Sequence, residues 1–367
     1  MALRPFRGSP RPARRHRVLR AGTALLLAAA FVCLPSAAAS AAPAHRTPSH
    51  QAAAAPDEEV AFRIQDERIT ESSGLAVSRR HQGVVYTHND SGGVPTIYAL
   101  GTDGRVRAAL TLGGAQARDW EGMAIGEDGR GRPSIFVADI GDNLGGAWPY
   151  VTVYRIPEPS RLRSQTIRAT AFKIKYEDGP RNAETFMINP RTNRIYIASK
   201  LFGGKVYEGP KRLRTSGFNT MREVSDAPSI ATDGAFSPDG RLCVIRTYFG
   251  ARLYSVDADG RPGKSLTSIG VPRQEQGESV TFTADGRSIL AGSEGTDQPV
   301  YRIPLPEEAL PSPSATKDAG TTSTTENAEE GRKDAAGPRV GLFLALAIAG
   351  AVAYGLTRKR GGPAGRK

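Results

Sequence analysis

The chain has 367 residues, with 49 Lys and Arg against 37 Asp and Glu and a formal charge of +12. The excess sits at the two ends: residues 1–42 hold seven arginines and no acid, residues 338–367 hold six bases and no acid, and 36 bases face 37 acids between them. A near-neutral centre lacks the concentrated Lys and Arg that a phosphate backbone requires, which excludes nucleic acid as a partner.

In chain order, residues 1–42 predict an export signal. Arg4 to Arg20 form a basic stretch, Ala21 to Leu34 a short apolar core, and Ala37 to Ala42 supply small residues for cleavage. Arg14-Arg15 is a weak twin-arginine signal, so Sec and Tat export both stay open. Residues 43–58 read as a flexible lead. Residues 59–306 are the folded body, with Cys243 as its only cysteine, so no internal disulfide forms. Residues 307–337 are rich in Ser, Thr, Ala and Glu and nearly devoid of large apolar residues, the composition of a disordered stalk. Residues 340–356 are an uncharged run of the length of a short transmembrane helix, and the bases of 357–367 predict a cytoplasmic tail. The body is then expected outside, anchored in the cell membrane.

Within the body, an aliphatic residue precedes tyrosine five times: Ile97-Tyr98, Val153-Tyr154, Val206-Tyr207, Leu253-Tyr254 and Val300-Tyr301. Some 20 to 35 residues before each pair stands a segment of common form, beginning at Ser73, Glu121, Glu184, Asp233 and Glu278. Asp-Gly pairs at Asp103, Asp128, Asp239, Asp259 and Asp285 predict tight type I′ hairpins. Short strands repeating every 50 residues or so predict a five-bladed β-propeller, with six blades as the alternative. Its strands are expected at Leu75–Val77, Val84–His88, Thr96–Leu100 and Arg105–Leu112; at Met123–Ile125, Ser134–Asp139, Val151–Ile156 and Ala169–Tyr176; and at Thr185–Ile188, Arg194–Lys200, Lys205–Glu208 and Met221–Val224. The fourth blade takes Ala235–Ser237, Leu242–Thr247, Arg252–Val256 and Ser265–Ile269. The fifth takes Ser279–Thr283, Ser288–Gly292 and Val300–Ile303, and the N-terminal segment Val60–Ile69 supplies its missing outer strand. The tyrosines fall on third strands and are expected to pack between blades.

First strands line a propeller's channel, so Glu121, Glu184, Asp233 and Glu278 are expected around one mouth. The ends of second strands return to it, bringing His88, Asn89, Asp90, Asp139, Asp142, Asn143, Lys200, Arg246 and Glu294. Clustered carboxylates repel, and need a cation or neighbouring bases. Glu121, Glu184, Asp233, Glu278, Asp139 and Asp142 are candidate ligands, and calcium suits such irregular oxygen sets. Lys200 and Arg246, read as matched positions, could instead neutralise the acids. As an anion- or ligand-binding set they join Asn89, Asp90, Asn143 and Glu294. No G-x-S-x-G elbow occurs, and Ser73 with His88 is a weak nucleophile pair. Ser72 and Ser73 are expected to bond backbone at a strand start. Trp120 reads as a lid over the mouth or a wedge between blades.

Glu71-Ser72-Ser73-Gly74-Leu75-Ala76, Thr87-His88-Asn89-Asp90, Asp119-Trp120-Glu121-Gly122, Ala138-Asp139-Ile140-Gly141-Asp142-Asn143, Ala183-Glu184-Thr185-Phe186 and Gly277-Glu278-Ser279-Val280 resemble exported actinobacterial propellers. They are similar to the group labelled for esterase-like activity of phytase, and distantly to calcium-dependent propeller phytases and lactonase-like propellers. The resemblance implies calcium on Glu121, Glu184, Asp233 and Glu278 and anion binding at Lys200 and Arg246. Ser73 departs from it where a fifth acid is expected. The resulting expectation is a membrane-anchored propeller that binds a cell-envelope ligand. The alternative is a calcium-assisted hydrolase of phosphate or carboxylic esters acting on a small anionic substrate.

Overall fold

Short strands joined by turns only a few residues long pair most readily with their sequence neighbours in antiparallel fashion. The computed structural model describes residues 59–310 and consists of such units. The expected export signal, flexible lead, stalk beyond 310, transmembrane helix and basic tail lie outside the described residues. Among the described residues no helix is long and apolar enough to cross a membrane.

Strand β1 (Glu59–Arg63) opens the described chain. Strands β2 (Ser72–Val77), β3 (Val85–Asn89), β4 (Thr96–Leu100) and β5 (Val106–Gly113) form the first antiparallel meander. Strands β6 (Trp120–Glu127), β7 (Pro133–Asp139) and β8 (Val151–Pro157) begin the second. Strand β9 (Gln165–Arg168) leaves it to pair in parallel with β5, and β10 (Thr170–Tyr176) completes it. The third is β11 (Ala183–Ile188), β12 (Ile195–Ser199), β13 (Lys205–Glu208) and β14 (Asn219–Asp226). Parallel pairing of β10 with β14 fuses the second and third meanders into one eight-stranded sheet. Then follow β15 (Ala231–Phe236), β16 (Leu242–Thr247), β17 (Gly250–Val256) and β18 (Pro262–Ile269). Last come β19 (Val280–Phe282), β20 (Ser288–Ala291) and β21 (Pro299–Pro304), with β1 as the fourth strand against β21. The N-terminal segment therefore completes the last sheet. Strand β9 is an element the sequence pattern does not announce, being four half-exposed polar-flanked residues.

The first strands touch in cyclic order: β2 with β6, β6 with β11, β11 with β15, β15 with β19, and β19 with β2. The apolar cores follow the same order, each lying between two successive meanders rather than inside one. The repeated tyrosines belong to these cores. Tyr98 packs with Leu290 and Val300, Tyr154 with Ala108 and Leu110, Tyr207 with Val153 and Phe172, and Tyr254 with Met187 and Tyr196, while the half-buried Tyr301 lies against Leu242 and Leu253. A tyrosine on a third strand thus serves the joint between units. The result is an all-β ring of sheets.

The Asp-Gly turns are not type I′, which would need positive φ at both central residues. Only the glycine turns left-handed at Gly104 (φ 73°), Gly240 (68°), Gly260 (88°) and Gly286 (67°), and after Asp128 it is Gly131 (73°) that does so. In all but the Asp259 turn the aspartate side chain accepts from the amide two residues on, as Asp239 does from Arg241 at 3.0 Å and Asp285 from Arg287 at 3.0 Å. That local bond keeps the aspartate in the ordinary region and makes a type I turn closed by glycine.

Candidate metal and anion site

The start of four of the five first strands carries an irregularity in its pairing, β19 being the exception. Register shifts occur between Ser72 and Gly74, Trp120 and Met123, Ala183 and Thr185, and Ala231 and Asp233. An extra residue in one strand re-aims its side chain. The residues so displaced are Ser73, Glu121 with Gly122, Glu184, and Thr232. Asp233 stands one residue further in, opposite Arg246. It therefore leaves the ring: its Oδ2 accepts from Val280 N at 2.8 Å, and burial, offset by that bond, raises its pKa well above the carboxylate range.

Two subsites result. In the first, one oxygen each of Asp90, Asp119 and Glu121 lie within 4.8 Å of one another. Ser73 donates to Glu121 Oε2 at 3.3 Å. Asp90 Oδ1 is buried with no hydrogen-bond partner. Burial, then the charges of Asp119, Glu294 and Glu184, push Asp90 well above the usual carboxylate range, and burial with Glu184 and Asp90 does the same to Glu121. Gly141 is required beside this cluster, since a Cβ there would lie 2.3 Å from Glu121 Oε1 and 2.6 Å from Asp119 Oδ2. Three hard oxygen donors in a buried, mutually repelling group, with one oxygen unpartnered, fit a hard divalent cation and no soft one.

In the second subsite, Lys200 Nζ donates to Glu184 Oε1 and, at 2.6 Å, to Tyr248 Oη, which donates to Glu278 Oε1 at 2.9 Å. Burial pulls the Lys200 ammonium down, but Glu184, Glu278 and Tyr248 more than reverse this and hold it well above its usual pKa. Glu184 Oε2 and Glu278 Oε2 are buried without partners. The two subsites are electrostatic neighbours: Lys200 acts on Glu121, and Glu184 on both Asp90 and Glu121.

Lys200 and Arg246 are not equivalent positions. Lys200 follows the last residue of β12, as Tyr248 follows that of β16 and Asp90 that of β3. Arg246 lies two residues deeper and is wholly buried. Its guanidinium donates to Ser279 O at 2.7 Å, Gly292 O at 2.6 Å and Gln274 Oε1 at 2.6 Å, and burial lowers its pKa to about 10. It ties units together and reaches the acids only through space.

The other sequence candidates are distributed as follows. Asp139 pairs with Arg118 at 3.4 Å and accepts from Asp119 N at 3.1 Å, with burial, offset by Arg118, raising it to about 6. Asp142 Oδ2 accepts from Trp148 N at 2.9 Å and holds its loop, while Asn143 Oδ1 accepts from Asn182. Asn89 Oδ1 takes the amides of Thr70 and Glu71. Glu294 Oε2 accepts from Gln276 at 2.6 Å. His88 is fully buried, edge-on to Trp120 with ring centroids 5.7 Å apart, and burial lowers it to about 4. Trp120 is buried and donates to Gln116 O at 2.7 Å, a wedge and not a lid. Ser72 meets Thr87 Oγ1 at 2.7 Å and Ser73 meets Glu121, so these hydroxyls bond side chains, not backbone.

Two members escaped the sequence reading. Asp119 stands two residues before Glu121, and a period of two puts such residues on one face of an extended strand. Tyr248 is legible only once strand ends are aligned in space. A cavity of about 310 Å³, lined by Leu75, Met123, Ile125, Phe236 and Phe282 among others, lies at the opposite ends of the first strands. Between them the strands pack too closely for a side chain, since a Cβ on Gly122 would lie 2.6 Å from Phe186 N. That cavity and the carboxylates are separate places, and the chemistry belongs to the carboxylates.

No family model and no curated protein matches the chain. Among solved structures it is similar to a gluconolactonase from Xanthomonas campestris, at 16% identity over 64% of this chain and 72% of that one, with a TM-score of 0.41.

Proposed function

We propose that the chain is a five-bladed β-propeller that hydrolyses an ester with the help of a divalent cation, calcium being the ion best suited to the donor set. The observation that carries this reading is the division of the buried acids into two subsites. One has three convergent carboxylates and an unpartnered oxygen, and the other already holds a cation in Lys200. Asp90, Asp119 and Glu121 would hold the ion. When bound it supplies polarisation of the ester oxygen and a more acidic water. Ser73 fixes Glu121 by its hydrogen bond. Lys200, by its charge, would stabilise the oxyanion that forms as water adds to the ester carbon, and Tyr248, whose O–H goes to Glu278, holds the ammonium in place. Glu184 Oε2, unpartnered and held beside Lys200, takes the proton of that water. The bond to the leaving oxygen then breaks, the proton passes to it, and acid and alcohol separate. Export through residues 1–42 and anchoring by 340–356 are part of the same proposal and rest on the sequence alone.

The test is turnover of aryl esters by the purified protein with calcium and with chelator. Calcium-dependent turnover lost in Asp90→Asn and Glu184→Gln is expected. Calcium binding without turnover of any ester would leave a ligand-binding module instead.

A further inference from the structure

The loops joining second to third strands all emerge at the carboxylate end, and four of them carry large apolar residues into solvent. Val94 follows Asp90 and is 72% exposed, and Leu144 follows Asp142 at 67%. Phe202 follows Lys200 by two residues at 59%, and Phe249 follows Tyr248 directly at 65%. Leu201 and Trp148 on the same loops are also exposed. Trp148 is braced by Arg118, whose guanidinium lies 4.4 Å from its ring centre. Single exposed apolar residues need no explanation. Here they recur on the very loops that deliver Asp90, Gly141, Lys200 and Tyr248 to the site, within a few residues of each.

The polar groups inside this rim are mostly acids. Lys200 is engaged by Glu184 and Tyr248, and Arg246 by carbonyls and Gln274. A multiply charged anion, such as a polyphosphorylated ring, would meet carboxylates without spare bases to pair with. An anionic lipid surface would meet the same repulsion. A neutral ester with an apolar extension meets neither penalty: its ester reaches the carboxylate end while its extension covers the rim.

Resting on the hydrolase reading above, we infer that the substrate is a carboxylic ester with an extended apolar arm, seated on Phe202, Phe249, Leu201 and Trp148. Two measurements test this on the purified protein. The first is kcat/KM for 4-nitrophenyl acetate, butyrate and octanoate, with 4-nitrophenyl phosphate alongside, all with calcium. A rise on the order of tenfold from acetate to octanoate is expected, as only part of a six-methylene arm is buried on an open rim. The Phe202→Ser/Phe249→Ser double variant should flatten that rise. The second is fluorescence of Trp148, one of only two tryptophans, titrated with N-octylacetamide and N-methylacetamide and assigned with Trp148→Phe. Only the octyl compound should change it.

Ester turnover with no chain-length preference and no octyl response would overturn the apolar arm and leave the hydrolase standing. An octyl response with no ester turnover would overturn hydrolysis and support the apolar seat. Preference for the phosphate would overturn the substrate class. A Trp148 response to phosphatidylcholine vesicles without one to the octyl amide would make the rim a membrane contact and overturn the inference.

Discussion

Tyr248 Oη donates to Glu278 Oε1 at 2.9 Å while accepting from Lys200 Nζ, so one phenol links three of the sheets. Lys200 stands just beyond β12, Tyr248 just beyond β16, and Glu278 just before β19. Removing the middle of such a chain is milder than removing its charge. Tyr248→Phe is expected to cost about 1.5–3 kcal/mol, the net value of a hydrogen bond to a charged group. Lys200→Met should cost about 3–5 kcal/mol, because it strands buried carboxylates. Chemical denaturation of the two variants checks the ranking, and a Lys200→Met protein as stable as the parent would remove Lys200 from its assigned place.

The first subsite should make stability depend on cations and on pH together. Asp90 and Glu121 have folded-state pKa values raised above those of the unfolded chain. The folded state then binds more protons, and their contribution to stability is lost as pH rises above the ordinary carboxylate range. Without divalent ions the melting temperature should therefore fall between mildly acidic and neutral pH on account of these groups. Calcium should restore it at neutral pH, and Asp90→Asn should abolish the calcium effect. Thermal melts with calcium and with chelator at two pH values measure all three.

His88 works in the opposite direction. Burial lowers its pKa from 6.5 to about 4, so the unfolded chain binds the proton more readily and stability falls as pH drops from 6.5 towards 4. The full shift corresponds to roughly 3 kcal/mol. Denaturation midpoints across that window, with His88→Asn as the comparison, should show the acid limb shrinking in the variant.

Close approach of the first strands gives a packing test. A Cβ on Gly122 would lie 2.6 Å from Phe186 N, a backbone atom, and 2.9 Å from Phe186 Cβ, which is fixed to that backbone and cannot swing aside. Gly122→Ala should destabilise by about 1–3 kcal/mol, in the range of overpacking. Gly129→Ala, where a Cβ meets nothing within 4 Å, should change little. Paired thermal melts distinguish the two.

Most strands were legible because apolar alternation between Asp-Gly turns marks them. The tyrosine repeat also pointed correctly to the joints between units, since an amphipathic ring on a third strand can only face a neighbour. The turn type was misread because the Asp-Gly pair alone does not reveal the Asx bond that keeps aspartate out of the left-handed region. Strand β9 was missed because its burial depends on an edge of β5 far off in sequence. The carboxylates were found by repetition, but their grouping was not. Asp233 moved out of the ring through a one-residue difference in where the register shifts, and Lys200 and Arg246 parted because they sit at different depths along their strands.

Strand β1 lies against β21, with Val60 opposite Tyr301 and Phe62 opposite Val300. The first residues of the body to emerge during synthesis are thus partnered by nearly the last. A contact spanning some 240 residues of sequence closes slowly, because loop closure precedes any gain from pairing. Nascent chain therefore carries an open sheet edge until its final hairpin is made, and whatever handles this protein before completion has to keep that edge from pairing with another copy.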